Sequence, residues 1–257
     1  MKSIIICEGK TDLILLSYYL GKVADWHHLH GSEAKKYKDR PLKFSIDNPS
    51  NQSFEWYANS KSDLLCIYAV GSIDKIKDGL NQVVEINLLS NSEPFDNIVI
   101  VCDRDDDKIE SSIFGDIHIA TDGHMTLESE LQNNTWVNLS YELSGDTLTT
   151  KLIPIIIPFD VIGTLETFLL NCRREIDDCE SELICKCESF MESLESAEAI
   201  QKRYITSRGI KPKILLGTYF SVVSPNRTFD VGNEILTSIN WEEYSKFNKT
   251  FECLVDL

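Results

Sequence analysis

Three short runs of this chain are almost continuously apolar: residues 3–7 (SIIIC), 64–70 (LLCIYAV) and 97–102 (NIVIVC). A strand with one wet face alternates apolar and polar residues, whereas a strand covered on both faces does not. Each run therefore predicts an interior strand of a sheet sandwiched between helices. Residues 11–21 place Leu13, Leu16, Tyr19 and Leu20 at helical spacing, and residues 73–84 read as a second helix opened by Gly71-Ser72. Strand, helix, strand, helix, strand requires crossover connections, and hence parallel pairing. The expected class is α/β, Rossmann-like, with a central, mostly parallel sheet flanked by helices.

The rest of the chain has a different texture. Residues 24–60 are polar and read as an insertion or mobile excursion; His27, His28 and His30 have no evident carboxylate partner and read as loop surface. Residues 115–157 predict two or three strands with a turn at Ser144-Gly145-Asp146. The last of them, residues 151–157 (KLIPIII), contains Pro154, which lacks an N–H and favours an edge or a bulge. Beyond Gly163 the chain turns helical. Leu169, Cys172, Ile176, Cys179, Leu183, Cys187, Phe190, Leu194 and Ala197 step by three or four and predict the buried stripe of one long amphipathic helix. A short helix is expected over 214–223, after Lys211-Pro212-Lys213. Of the eight cysteines none forms a Cys-x-x-Cys pair, and Cys172, Cys179, Cys185 and Cys187 match no common zinc spacing. Free thiols and the absence of a secretory or membrane-spanning apolar run lead to the expectation of a cytoplasmic protein.

The chemistry concentrates at the ends of the apolar runs. The first is followed by Glu8-Gly9-Lys10-Thr11-Asp12. Gly-Lys-Thr suggests a phosphate-binding loop, but that motif needs an earlier glycine where Ile4 stands inside the strand. A carboxylate beside the nest would also repel phosphate. Carboxylate chemistry fits better. Asp103 and Asp105 follow the third run, and residues two apart in extended chain point the same way. In a parallel sheet all carboxyl ends lie on one side, where ligand crevices form. Glu8, Asp103 and Asp105 should therefore converge, with Asp12 joining them from the first turn of the following helix. Carboxylates so placed repel one another unless a cation neutralises them, and Mg²⁺ or Mn²⁺ with its oxygen preference is the natural one. Asp106 and Asp107 read equally well as solvated loop acids. Gly9 and Gly71, each after a strand, are expected to allow a positive φ.

An apolar strand ending Glu-Gly-x-x-Asp, then strand, glycine and helix, then an apolar strand ending Asp-Arg-Asp, resembles a Toprim domain over roughly residues 1–165. Glu166, at the start of a helix after the last predicted strand, and Lys211-Pro212-Lys213 further on, make the pattern similar to Toprim nucleases of the OLD (overcoming lysogenization defect) type. OLD proteins carry an ATPase domain ahead of the Toprim domain. Because this chain starts at the Toprim strand, it looks closer to the small stand-alone Toprim effectors of PARIS-type anti-phage systems, whose ATPase is a separate polypeptide and whose target is tRNA. The resemblance implies a divalent-metal-dependent nuclease using two ions, Mg²⁺ or Mn²⁺, set roughly 3.5–4 Å apart. Glu8, Asp103 and Asp105 would hold the first ion, with Glu8 also moving a proton, and Asp12 and Glu166 would complete the second. Lys211 or Lys213 would stabilise charge on the scissile phosphate. The implied organisation is a catalytic unit over 1–165, with 24–60 inserted, and a helical extension over 166–257 that completes the site and carries a partner or dimer surface.

Charge limits the partner. The net charge is −16, unlike a protein that tracks duplex DNA through a broad basic face. Residues 175–198 hold nine acids and one lysine, and residues 201–213 hold five basic residues and no acid. The basic stretch, with Arg203 and Arg208, is the expected nucleic-acid grip, on tRNA, other RNA or DNA. The acidic helix is the expected contact for an ATPase partner, and the apolar stripe could serve a homodimer. The competing expectation is a non-catalytic Toprim scaffold that binds a partner through its acidic helix.

Overall fold

The computed structural model describes residues 1–37, 53–88, 93–109, 111–113, 115, 125–143, 146–207, 209–227 and 234–257. The three apolar runs form β1 (Lys2–Cys7), β4 (Leu64–Ala69) and β5 (Asn97–Asp103), each buried along its length apart from Asp103 at the end of β5. With β2 (His27–His28), β3 (Ser53–Ala58), β6 (Met125–Leu127), β7 (Val137–Leu143) and β8 (Asp146–Ile157), they make one eight-stranded sheet of order β2-β3-β4-β1-β5-β8-β7-β6. The four central strands run parallel, and the outer pair on each side is antiparallel to its neighbour.

Alternate residues of the central strands feed two cores. Ile5, Cys7, Ile67, Val99 and Ile155 face α1 (Lys10–Val23) and the C-terminal helices. Ile4, Ile6, Cys66, Ile98 and Ile100 face α2 (Ile76–Leu88) through Leu80, Val83 and Val84. This two-sided burial is why the runs do not alternate. The C-terminal helices are α3 (Leu165–Arg174), α4 (Asp178–Ser196), α5 (Glu198–Tyr204), α6 (Ile210–Val223) and α7 (Ser245–Phe251). Phe168 of α3 and Phe247 and Phe251 of α7 pack with Tyr19 of α1, so this region shares the core of one sheet face.

Several expectations are corrected. Residues 53–58, placed within the 24–60 excursion, form β3, paired antiparallel along all of β4; residues 38–52 lie outside the described residues. The single long helix is two. Asp177, in extended backbone, accepts the Glu180 N–H at 2.8 Å and starts α4 afresh. The restart shifts the phase, so Ile184, Cys187 and Met191 are buried while Ile176 and Phe190 are 43% and 49% exposed. Helix α6 begins at Ile210 rather than 214, with Pro212 in its first turn, where a missing N–H costs nothing. Strand β8 is internal, not an edge. Pro154 sits beyond Leu152, where β7 pairing ends, and its carbonyl accepts from Asn134 N at 2.7 Å. The missing N–H therefore falls on the side β7 has vacated. His28 does have a carboxylate, Glu55 of β3 at 2.7 Å, and His27 meets Asp25 at 2.8 Å. Among the described residues no helix is long and apolar enough to cross a membrane.

Candidate metal centre

The register brings the carboxyl ends of the four parallel strands to one edge. Cys7 lies opposite Ala69 and Val101, and Asp103 opposite Ile157. The chain leaves β1 toward β4 and leaves β5 toward β8, so β1 and β5 are neighbours whose connections diverge. Such a divergence opens a crevice at the strand ends. Glu8 and Asp103 stand at its two sides.

Three hydrogen bonds hold the acids. Glu8 Oε1 accepts the Asp103 backbone N–H at 2.7 Å, and Asp103 Oδ1 accepts the Leu165 N–H at 2.7 Å. Asp12 Oδ2 accepts the Gly9 N–H at 2.9 Å at the mouth of α1. The first two bonds link β1 to β5 and β5 to α3 through the candidate ligands themselves. Leu165 N is one of the orphan donors at the start of α3, whose cap is Thr164. The helix start expected at Glu166 gave no sign of a bond back to Asp103. Extended geometry persists past β5, because Arg104 bridges Gly163, and the Arg104 guanidinium donates to the Pro158 carbonyl at 2.9 Å. Gly71 has φ 100°, as expected for the turn after β4, and donates to the Glu8 carbonyl at 2.6 Å. Gly9, by contrast, is extended at φ −138°.

The electrostatics are those of uncompensated negative charge. Burial, then Glu8 and Asp12, push the Asp103 carboxyl up to about 9; burial, then Glu8, push Asp12 to about 7. Burial also raises Glu8, with Asp105 and Glu166 adding to it, while the Asp103 N–H and Lys213 pull it down. Glu166 is buried in the first turn of α3 at 8% exposure, and Asp105, Asp106 and Asp107 are exposed. Glu166 acts on Glu8, Asp12 and Asp103, and Asp105 acts on Glu8. Behind them the buried Cys7 and Cys102 thiols are held well above their ordinary range by burial and by these acids, so neither is a thiolate nucleophile.

The two lysines separate. Lys211 is ion-paired with Glu195 of α4, whereas exposed Lys213 is the cation that acts on Glu8. Arg203 is exposed on α5 with its guanidinium over the Tyr204 ring. Arg208 lies outside the described residues.

An all-oxygen donor set of excess charge suits a hard divalent cation such as Mg²⁺ or Mn²⁺. Among the described residues, no three His, Cys, Asp or Glu side chains already form a ligand-ready group, so holding an ion requires the carboxylates to draw together. Stability in chelator should report the charge. Both Asp12 and Asp103 have folded pKa values above the unfolded one of about 4, so the folded state keeps protons that the unfolded state has lost. The melting temperature in EDTA is expected to fall as pH rises above about 4, through about 7 for Asp12 and about 9 for Asp103, and Mg²⁺ should flatten that fall. A melting temperature that is level or rising from pH 5 to 8 in EDTA would show that the acids are already compensated.

No curated protein and no solved structure matches the chain. A family model does, over residues 2–254, and so includes every acid of the cluster as well as Lys213. The chain belongs to the DUF3226 family, described as a protein of unknown function.

Proposed function

We propose that the protein is a metal-dependent nuclease of Toprim type, cleaving phosphodiester bonds of RNA or DNA at the cluster of Glu8, Asp12, Asp103, Asp105 and Glu166. The observation that carries the reading is the placement of Glu8 and Asp103 at the divergence of β1 and β5, with Glu8 bonded to the backbone of β5 and Asp103 to the first N–H of α3. When bound, Mg²⁺ or Mn²⁺ would supply charge for phosphate binding and acidify the attacking water. The chain's part is to fix the acids on rigid strand ends and to bring one cation, Lys213, to the rim. Glu8, with its raised pKa, can take a proton at its carboxylate as the nucleophile is formed. A phosphate set between the acids and Lys213 would have its developing charge met by the ammonium.

The resemblance that names the activity also suggests a role as a cytoplasmic anti-phage effector acting on tRNA, held by a separate ATPase through the acidic face of α4. The acidic face of α4 supports a second reading, a non-catalytic scaffold that keeps the acids but binds a protein partner through that helix. Incubating total tRNA, and separately plasmid DNA, with the protein and Mg²⁺ or Mn²⁺ decides between them. Cutting that disappears in Asp103→Ala/Asp105→Ala supports the nuclease and identifies its substrate. Equal cutting by both proteins would sink it.

The lysines give a finer test. Lys213→Ala should lower the cleavage rate about 10²–10³-fold, the usual cost of one charge-stabilising group. Lys211→Ala, already neutralised by Glu195, should cost less than about tenfold. The reverse order, measured as single-turnover rates, would reassign the catalytic lysine.

A further inference from the structure

Helices α3, α4 and α6 meet around a cleft of about 190 Å³. Its walls are Leu170, Met191, Pro212 and Leu215, and Thr167 and Asn171 bring polar groups to it. The helices that form the cleft also carry residues of the proposed site. Thr167 follows Glu166 on α3, and Pro212 precedes Lys213, the lysine that acts on Glu8.

The charges around this cleft are already satisfied. Arg174 donates to Glu188 at 2.6 Å, and Lys211 is paired with Glu195. An anion entering would compete with those carboxylates for the same cations. A neutral, flat ligand with apolar faces and a polar edge would not: the faces would meet Met191 and Leu215, and the Asn171 amide, donor and acceptor at once, could read the edge. A nucleobase has this chemistry. The whole-chain charge points the same way. A net charge of −16 leaves little attraction for a broad phosphate track, so a nucleic acid needs a further hold beside the local basic stretch of 201–213. Burying one unpaired base is the usual alternative.

We propose that this cleft binds an unpaired base of the substrate, adjoining the phosphate to be cut. It follows that the substrate is single-stranded or looped, because a base in a duplex cannot reach the cleft. The inference rests on the nuclease reading for its context, but binding can be tested without catalysis.

The chain has three methionines, Met1, Met125 and Met191, and of these Met191 lines the cleft. Protein carrying ¹³C-methyl methionine is titrated in EDTA with each of the four nucleoside 5′-monophosphates, with inorganic phosphate as control. The expected result is a saturating ring-current shift of the Met191 methyl with at least one nucleotide and none with phosphate. Leu215→Trp, which fills the cleft, should abolish the shift; Asn171→Leu is the substitute if that variant does not fold. No shift with any nucleotide up to about 10 mM, or an equal shift with phosphate alone, overturns the proposal. A second arm compares turnover of a single-stranded oligonucleotide with Mn²⁺-dependent hydrolysis of bis(p-nitrophenyl) phosphate, which has no base. Leu215→Trp should lower the ratio of the two rates about tenfold, and an unchanged ratio counts against the cleft. If the wild type hydrolyses neither compound, the nuclease reading fails, and the Met191 shift still decides whether the cleft takes a base.

Discussion

On the proposed nuclease function, Asp103→Asn should lower metal-dependent cleavage by about 100-fold or more, since even an outer-shell partner of a metal ligand costs about 10–100-fold. The same change should raise the melting temperature of the protein in EDTA. The two effects have one origin. The introduced amide would still offer an oxygen to the Leu165 N–H, and the backbone N–H of residue 103 that Glu8 accepts is untouched by the exchange. What disappears is a partly buried charge that Glu8 and Asp12 already oppose. Removing it relieves the repulsion and removes an anchor for the cation together. The gain should grow with pH, because the aspartate's protonation shields the wild type at low pH and fails as the pH passes about 9. Thermal melts at pH 6 and pH 9, with EDTA and with Mg²⁺, separate the effects. If Asp103→Asn proves less stable than the wild type in EDTA at both values, the carboxylate is part of a structural network and not a strained ligand.

Arg173→Leu should have the largest effect on stability, a loss of about 3 kcal/mol, at the low end for breaking a buried charged pair because the site is partly wet. Arg173 lies in the last turn of α3 and reaches three other segments. It pairs with Glu180 of α4 at 3.0 Å, donates to the Tyr219 hydroxyl of α6, and donates to the Tyr244 hydroxyl just before α7. The Tyr219 hydroxyl in turn donates to Glu180. Arg173 and Glu180 are only 16% and 19% exposed, so leucine would leave a carboxylate without its cation and two hydroxyls without their donor. Urea unfolding measures the loss. The double variant Arg173→Leu/Glu180→Leu should recover part of it, since no uncompensated charge then remains. The effect should extend to function, because this network fixes α6, which carries Lys213, against α3, which carries Glu166. A strictly additive double variant would show that the four groups do not work as a unit.

How far the sequence could be read depended on whether a feature was local. Strands β1, β4 and β5 were legible because burial on both faces writes itself as an unbroken apolar run. The acids Glu8 and Asp103 were legible because parallel strands must end on one side. Strand β3 was missed because its residues SFEWYA include exposed Phe54 and half-buried Glu55 and sit in a polar neighbourhood. Its place is fixed by pairing with β4, not by its own pattern. The Glu55 partner of His28 was invisible for the same reason. The split between α3 and α4 hinged on one cap at Asp177, which the continuous three-and-four spacing overrode. Choosing between Lys211 and Lys213 needed the position of Glu195 on another helix, a relation no spacing within residues 211–213 contains.

The sheet also bears on how the protein behaves in a crowded solution. Its central ladder is covered on both sides, and among the described residues the strands at its two margins, β2 and β6, are two and three residues long against twelve in β8. A stray extended chain adds to a sheet by borrowing the free N–H and C=O groups of its last strand, and so short a margin provides a poor template. Heated or concentrated protein is therefore expected to self-associate, when it does, only after the outer antiparallel pairs have peeled from the parallel core.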